Sequence, residues 1–222
     1  PSTTGVYGNR NNFRKTLPNE ITLMQYLKSN GYTTKGGGKI FHGNNRPGDS
    51  LSWDYYFISK GHTRKSGRDP ELPNVSTQSG FFNWGPIDVP DDQMQDVRTV
   101  NWAKSELRKN HDKPFFLACG FYRPHLPWYV PRKYFDKFPL DEIILPEVKS
   151  DDLDDLPEYG KRFARERYSG SWGTDLNEGE RDHDLVVKYD QWKKGVQAYL
   201  ASISFVDTYV GELLDGLDES KY

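Results

Sequence analysis

A lysine and a histidine follow a run of three glycines near the start of the chain. Gly36, Gly37 and Gly38 precede Lys39, and His42 lies shortly after them. Glycine permits a sharp turn and a close approach of the backbone to a ligand. A lysine ammonium can neutralise an anionic oxygen, and a histidine can move a proton near neutral pH. From spacing alone, a surface lysine beside a structural histidine is the commoner arrangement.

A second histidine lies in a proline-rich segment after the most apolar stretch of the chain. His125 has Pro124 before it and Pro127 two positions after it. The prolines restrict the backbone and hold the direction of the imidazole, which suits a catalytic proton donor. The alternative is a histidine stacked on Trp128 or Tyr122 at the edge of the core.

The other candidates are weaker. Arg123 could contact a carboxylate or a sulfate, although a solvated arginine is more common. His62, His111 and His183 lie in polar surroundings without partners at metal-ligand spacing, so we expect structural or solvent-exposed roles for them. The sequence contains no G-x-S-x-G, Walker loop or H-E-x-x-H motif, nor a pair of acids at a strand end. A nucleophile or a metal site therefore cannot be built from this chain alone.

These candidates follow predicted strands. Residues 33–35 predict a short strand that feeds a turn of three glycines. Residues 113–121 lack alternation, which is typical of a central strand buried on both faces of a parallel sheet. The preceding residues, 91–110, predict a helix with an apolar face formed by Met94, Val97, Val100, Ala103 and Leu107. Helix followed by buried strand is the α/β pattern, in which ligands usually bind after the strands.

Other segments complete the predicted organisation. Thr16 is predicted to cap a helix that carries Leu17, Met24 and Leu27 and stops at Gly31. Residues 43–90 predict a long irregular connection with short strands at best. Residues 136–185 predict an acidic surface excursion, since residues 136–158 hold nine acids and two lysines. The segment from Trp192 to Leu217 repeats apolar residues every three or four positions and predicts one long helix.

Composition excludes several classes of protein. The 222 residues fit one large domain or two small ones, and 14% aromatic residues are too many for a disordered segment. A net charge of -2 argues against binding of nucleic acid through the overall charge of the protein. No apolar stretch is long enough to span a membrane. The lone Cys119 excludes an intramolecular disulfide and a cysteine zinc cage. Residues 1–50 carry seven bases and two acids, which suggests an anionic ligand near this end.

Four stretches together resemble the formylglycine-dependent sulfatases, especially the iduronate-2-sulfatase-like branch. Residues 1–7 are similar to the segment after the modified-cysteine motif of that family, and residues 38–42 are similar to its G-K-x-x-H element. Residues 113–127 resemble its strand and histidine loop, and residues 199–218 resemble the helix before its D-H-G segment. The matches occur in the order of the family and reach from end to end of the chain.

The resemblance implies that residues 1–222 are part of an alkaline-phosphatase-like sulfatase domain, an α/β fold with a mainly parallel sheet flanked by helices. In that family a hydrated formylglycine attacks sulfur while calcium holds the sulfate. By the same resemblance, Lys39 would bind sulfate and the formylglycine, and His42 would assist collapse of the sulfated intermediate. His125 would contact sulfate or protonate the departing alkoxide, and Arg123 would join Lys39 and His125 in substrate binding.

Several family motifs are expected outside this chain. They are the nucleophile motif C-x-P-S-R, the early aspartate pair that binds calcium, and the D-H-G segment with its lysine. Cys119 lies in the predicted strand and is not expected to be the nucleophile. We therefore expect a segment that, by itself, has no sulfatase activity and no high-affinity calcium site, because calcium needs a nearly complete oxygen shell.

The sequence thus predicts a segment of a sulfatase that hydrolyses sulfate esters, with a sulfated carbohydrate as the expected substrate, in the periplasm or outside the cell. The expected partners are this ester and the remaining segments of the parent enzyme, with no nucleic acid and no membrane. Two alternatives stay open at this point. One is a phosphodiesterase or phosphonate hydrolase of the same superfamily, and the other is a non-catalytic relative that binds sulfated glycans.

Overall fold

The structure is a computed structural model that describes residues 1–9, 11–42, 48–60, 83–164, 186–187 and 189–222. The chain forms two compact units. The first comprises residues 1–61, 92–122 and 209–222, and the second comprises residues 62–91 and 123–208.

Six helices and five strands occur in the described ranges. The strands are β1 (Thr33–Gly38), β2 (Tyr55–Phe57), β3 (Trp84–Ile87), β4 (Phe115–Gly120) and β5 (Trp128–Pro131). The helices are α1 (Phe13–Thr16), α2 (Leu23–Ser29), α3 (Gln95–Leu107), α4 (Arg132–Phe135), α5 (Glu158–Ala164) and α6 (Trp192–Asp218).

The first unit contains a parallel sheet in the order β2-β1-β4. Its central strand, β1, runs through the whole glycine triplet, so the predicted glycine turn at residues 36–38 is wrong. A Cβ atom on Gly36 would lie 2.8 Å from the indole of Trp53, and one on Gly37 would lie 2.8 Å from the indole of Trp102. Successive residues of a strand face opposite sides. The glycines therefore make room for one indole on each face of β1.

Strand β4 confirms the predicted buried strand in part. It pairs with β1 from Thr33 opposite Phe115 to Gly38 opposite Gly120. Its apolar side chains are covered on both faces, since the ring of Phe116 stacks on Trp53 and that of Phe115 lies 4.9 Å from Tyr222. The predicted central position is wrong for the described part of the sheet, where β4 is an edge strand and its residues are half-buried. A strand with side chains packed on both of its faces can therefore have an unbroken run of apolar residues even when only one strand pairs with it.

Helix α3 confirms the predicted amphipathic helix. The five apolar residues predicted for its face are all buried, four of them within the helix and Met94 directly before it. The acids at 91 and 92 belong to a short 3-10 turn, Asp91–Gln93, that precedes the helix. The helix proper begins at Gln95, later than predicted, with Met94 as its N-cap.

The N-terminal helix prediction is wrong at its start and right at its end. Thr16 is the last residue of α1, whose N-cap is Asn12. Pro18 disfavours a helical conformation at Leu17, so α1 cannot continue. A new helix, α2, starts after Thr22, which forms a capping box with Gln25. It ends before Gly31, whose φ of +86° is the left-handed conformation expected after a helix.

The second unit contains the parallel pair β3-β5, with Trp84 opposite Trp128. The segment 43–90 thus holds β2 and β3, while its residues 43–47 and 61–82 lie outside the described residues. The segment 136–185 includes α5, and its residues 165–185 are also outside them. Helix α6 confirms the predicted long helix and packs Phe205 edge-on against Tyr134 in this unit. No helix in the described ranges is both long and apolar enough to cross a membrane.

Candidate functional site

Lys39 lies directly after the carboxyl end of the central strand. Its backbone N–H donates a hydrogen bond to the carbonyl oxygen of Gly120, at 3.0 Å. A Cβ atom on Gly38 would lie 1.9 Å from that same oxygen, and one on Gly120 would lie 2.2 Å from the carbonyl oxygen of Lys39. Gly38 also has a φ of +82°. The close approach of the two strand ends thus requires glycine on both and fixes the backbone from which Lys39 projects.

The Lys39 ammonium is half-buried and lies over an aromatic ring. Its Nζ is 5.2 Å from the centroid of the Tyr122 ring, within the range of a cation–π interaction. Burial lowers the pKa of Lys39 from its ordinary value. The backbone beside it is held by Tyr56, whose hydroxyl donates to the carbonyl oxygen of Gly38 at 2.5 Å. Burial raises the pKa of Tyr56 to about 12, so this hydroxyl is a neutral donor at physiological pH.

His42 is exposed, and its neighbour Phe41 anchors the segment that carries it. The ring of Phe41 stacks on Phe13 with a centroid distance of 5.3 Å and contacts Trp53 edge-on at 6.3 Å. Gly48 approaches the same ring so closely that a Cβ atom there would lie 2.4 Å from the Cβ of Phe41. The backbone at residue 41 is therefore held on several sides.

Ion pairs within the protein neutralise part of the positive charge of residues 1–50. Arg14 donates to both carboxylate oxygens of Asp49, at 3.3 and 2.7 Å. Burial raises the pKa of the Asp49 carboxyl, but hydrogen bonds from Arg14 and Ser52 outweigh burial and hold that pKa below its usual range. Lys35 likewise pairs with a carboxylate, that of Glu106, at 2.6 Å. These cations are engaged within the protein, whereas the Lys39 ammonium lies over an aromatic ring.

In the second unit, His125 lies between two cis prolyl peptide bonds, at Pro124 and Pro127. Its Nδ1 is 2.5 Å from the carbonyl oxygen of Leu126. Because a carbonyl oxygen only accepts, we assign the hydrogen to Nδ1, and Nε2 is then the atom that can exchange a proton. The loop is closed by Trp128, whose indole N–H donates to the carbonyl oxygen of Pro124 at 2.7 Å.

Arg123 is buried, with 3% of its surface exposed. Its Nε and Nη2 donate to the carbonyl oxygen of Tyr129, at 3.1 and 2.9 Å. The guanidinium thus ties the start of the His125 loop to strand β5. Contact of Arg123 with a substrate stays a prediction.

The other polar candidates have structural environments. His111 contacts the carbonyl oxygen of Glu106 through Nε2, at 2.8 Å, and its ring packs on Phe115, as expected of a structural histidine. His62 and His183 lie outside the described residues. Burial raises the pKa of the Cys119 thiol to about 12, which makes it a poor nucleophile.

Calcium does not fit the part of the chain that the structure describes. Calcium takes six to eight oxygen ligands, and acidic side chains supply most of its charge. Among the described residues there is no group of three or more His, Cys, Asp or Glu side chains that could hold a metal ion. No calcium ligand is therefore assigned to this chain.

Lys39 and His42 belong to the first unit, and Arg123 and His125 belong to the second. Sequence reasoning missed two residues that hold the Lys39 segment, Tyr122 and Tyr56. Tyr122 lies two residues after the end of strand β4, and this position was the one signal that could have identified it. Tyr56 lies in a stretch that predicts irregular structure and gave no signal.

A comparison with solved structures tests the predicted fold class. A protein solved in complex with its substrate, D-glucosamine-2-N,6-O-disulfate, superposes with a TM-score of 0.53 over 98% of this chain and 50% of its own. At 18% identity, that likeness shows the fold alone. It confirms the predicted α/β class.

Sequence comparisons are more specific. A sulfatase of Formosa agariphila is 37% identical over 245 residues, which cover 100% of this chain and 44% of the relative. Iduronate 2-sulfatase of Homo sapiens is 32% identical over 237 residues, which cover 99% of this chain and 41% of the relative. The chain thus spans less than half the length of these relatives. The sequence model of the Sulfatase family matches residues 1–222, and the chain belongs to that family.

Proposed function

We propose that this chain is a segment of an enzyme that hydrolyses sulfate esters and that Lys39 binds the sulfate group. The observation that carries the proposal is the position of Lys39 in a chain that matches the sulfatase family throughout. Lys39 directly follows the central strand of a parallel sheet, and Gly38 and Gly120 fix the backbone that carries its ammonium. The carboxyl ends of such strands are the usual ligand sites of α/β proteins.

A cation at this point supplies charge where the reaction needs it. As the ester bond to sulfur breaks, negative charge develops on the oxygens around the sulfur and on the leaving oxygen. A half-buried ammonium stabilises such charge more strongly than an exposed one, because water screens it less. Removing one such donor from an enzyme typically lowers kcat by about 10² to 10³.

The two histidines move protons in this proposal. In its imidazolium form His125 gives the Nε2 proton to the departing alkoxide and becomes the neutral imidazole, which keeps its Nδ1 hydrogen on the Leu126 carbonyl. His42 exchanges a proton with the group that attacks sulfur. Arg123 contributes to substrate binding by holding the loop of His125. A general acid typically contributes about 10² to 10⁴ in rate.

The nucleophile and the metal are supplied by other polypeptide of the parent enzyme. A formylglycine and a calcium ion, each held by that other polypeptide, would supply a nucleophile and positive charge beside the sulfate. Membership of the sulfatase family supports both parts of this proposal. No residue of this chain is assigned to either.

The proposed substrate is a sulfated carbohydrate. One relative that is 32% identical is an iduronate 2-sulfatase, and the structural neighbour was solved with a sulfated glucosamine. A substrate of this kind favours an enzyme that acts in the periplasm or outside the cell.

The test uses the intact parent enzyme and measures sulfate release from p-nitrophenyl sulfate and from a sulfated oligosaccharide. We expect Lys39→Met to lower kcat/KM by at least about 100-fold on both substrates. Lys15→Met removes the same charge from an exposed position of the same unit and should leave turnover unchanged.

His125→Gln distinguishes a general acid from a binding residue. A sugar alkoxide is a strong base that needs a proton to leave, whereas p-nitrophenolate leaves without one. We therefore expect a larger loss on the oligosaccharide, by about 10² or more, than on p-nitrophenyl sulfate. Unchanged turnover in both the Lys39 and the His125 variants would remove these residues from the site. Faster turnover of bis-p-nitrophenyl phosphate by the wild type would favour a phosphodiesterase, and glycan binding without turnover would favour a non-catalytic relative.

A further inference from the structure

Tyr122 supports the Lys39 ammonium from the segment that follows strand β4. Its side chain is buried, with 6% of the residue exposed, and its ring centroid is 5.2 Å from Nζ of Lys39. Both residues belong to the first unit. The ring of Tyr122 is thus a fixed surface beneath a flexible side chain.

The backbone of Tyr122 is itself held by a buried carboxylate. Its N–H donates to Oδ1 of Asp96 at 2.7 Å, and Asp96 is 3% exposed. Asp96 lies in the first turn of α3, a helix that packs its apolar face in the core. Hydrogen bonds to a charged acceptor are stronger than those between neutral groups. Tyr122 is therefore anchored to a rigid element.

Two contacts on Lys39 come from the same short stretch of chain. The Gly120 carbonyl holds the Lys39 backbone N–H, and the Tyr122 ring faces the ammonium two residues later. A lysine side chain has a flexible four-carbon stem. Holding both its ends reduces the number of conformations that it must lose when an anion binds. The aromatic face also attracts the cation and so compensates part of the cost of burying it.

We propose that Tyr122 is a positioning residue that holds the ammonium of Lys39 in the conformation that binds a sulfate group. This inference rests on the proposed function of Lys39. It assigns Tyr122 a role that depends on its aromatic ring and not on its hydroxyl. Tyr122→Phe keeps the ring, and Tyr122→Leu removes it while keeping an apolar side chain.

The first test is competitive acetylation of the intact enzyme with a trace of acetic anhydride over a range of pH. Mass spectrometry of the peptide that contains Lys39 gives its apparent pKa without any need for activity. Loss of the cation–π attraction should lower this value by about 0.4 to 1.5 pH units in Tyr122→Leu, since Leu keeps the site apolar. The value should be unchanged in Tyr122→Phe, and acetylation of the exposed Lys15 serves as the internal reference.

The second test is a kinetic cycle with sulfate esters. Tyr122→Leu should lower kcat/KM by about 2- to 30-fold, and Tyr122→Phe should behave as the wild type. In a Lys39→Met background, Tyr122→Leu should have no further effect, because the cation that the ring holds is gone. Should Tyr122→Leu fail to fold, as judged by thermal unfolding, Tyr122→Met takes its place as the variant without a ring.

The outcomes separate this inference from the proposed function. If Lys39→Met retains full turnover, the proposed function fails. If Lys39→Met is inactive but Tyr122→Leu keeps the kcat/KM and the Lys39 titration of the wild type, the positioning role is refuted alone. Equal losses in Tyr122→Phe and Tyr122→Leu would also refute it, because the hydroxyl and not the ring would then matter.

Discussion

Replacing Gly38 by alanine should disrupt the strand ends that present Lys39. Two separate penalties apply. The φ of +82° at Gly38 costs an L-residue roughly 1 to 2 kcal/mol. The added Cβ would also lie 1.9 Å from the Gly120 carbonyl oxygen, where ordinary contact begins at 3.4 Å. The strand ends must therefore move apart, at a cost of about 1 to 3 kcal/mol for overpacking, and the Lys39–Gly120 hydrogen bond is strained or lost.

Gly31→Ala is the matched control for backbone strain. Its φ of +86° is nearly the same, yet no atom lies within 4 Å of the position of its Cβ. This variant should therefore lose only about 1 kcal/mol of the free energy of unfolding. We expect Gly38→Ala to lose about 2 to 4 kcal/mol more than Gly31→Ala.

Urea unfolding of the intact protein, followed by tryptophan fluorescence, measures both losses. Two indoles, those of Trp53 and Trp102, flank β1 and report on this unit. Gly38→Ala should also lower kcat/KM for sulfate esters, whereas Gly31→Ala should not. Equal losses of stability in the two variants would refute the reasoning, because the strand ends would then not be in steric contact.

Three further predictions concern ion pairs and the single thiol. Glu106→Gln should lose about 3 kcal/mol of stability at pH 7, since it leaves the partly buried Lys35 without its carboxylate. Burial raises the pKa of the Glu106 carboxyl, but hydrogen bonds from two lysines outweigh burial and lower that pKa overall. The loss of stability in Glu106→Gln relative to the wild type should therefore have its full size above about pH 4.3. It should become smaller as pH falls through the lowered pKa of Glu106, as measured by urea unfolding at each pH. Arg14→Lys should cost about 1 to 2 kcal/mol in the same assay, because an ammonium cannot replace the bidentate contact with Asp49; an unchanged midpoint would contradict this. Cys119, with a pKa raised by burial to about 12, should react with iodoacetamide at pH 8 about 10³ times more slowly than a free thiol, and rapid labelling of the folded protein would contradict the burial.

Local sequence patterns predicted the elements that are determined by interactions between residues close in the sequence. The apolar face of α3 and the long helix α6 follow from a three-four repeat, which depends only on neighbouring turns of one helix. The turn predicted at the glycine triplet is wrong because the side chains that require glycine there are distant in the sequence. Trp53 and Trp102 fill the space above and below β1, and no pattern at residues 36–38 indicates them.

The same distinction applies to the candidate site. Lys39 could be selected from its residue type and its place after a strand, and both are properties of a short segment. The support from Tyr122 and Tyr56 arises from the pairing of β1 with its two neighbours, which brings distant segments together. The edge position of β4 likewise depends on strand order, which hydrophobicity does not encode when both faces of a strand are covered.

Protection of Lys39 by inorganic sulfate tests the central claim most directly. In the intact enzyme, acetylation of Lys39 and of Lys15 would be followed by mass spectrometry at increasing sulfate concentration, at constant ionic strength. If Lys39 binds the sulfate group, its acetylation should fall in a saturable manner with the same midpoint as product inhibition by sulfate, while that of Lys15 stays constant. An acetylation rate of Lys39 that does not change at sulfate concentrations that inhibit turnover would contradict the account.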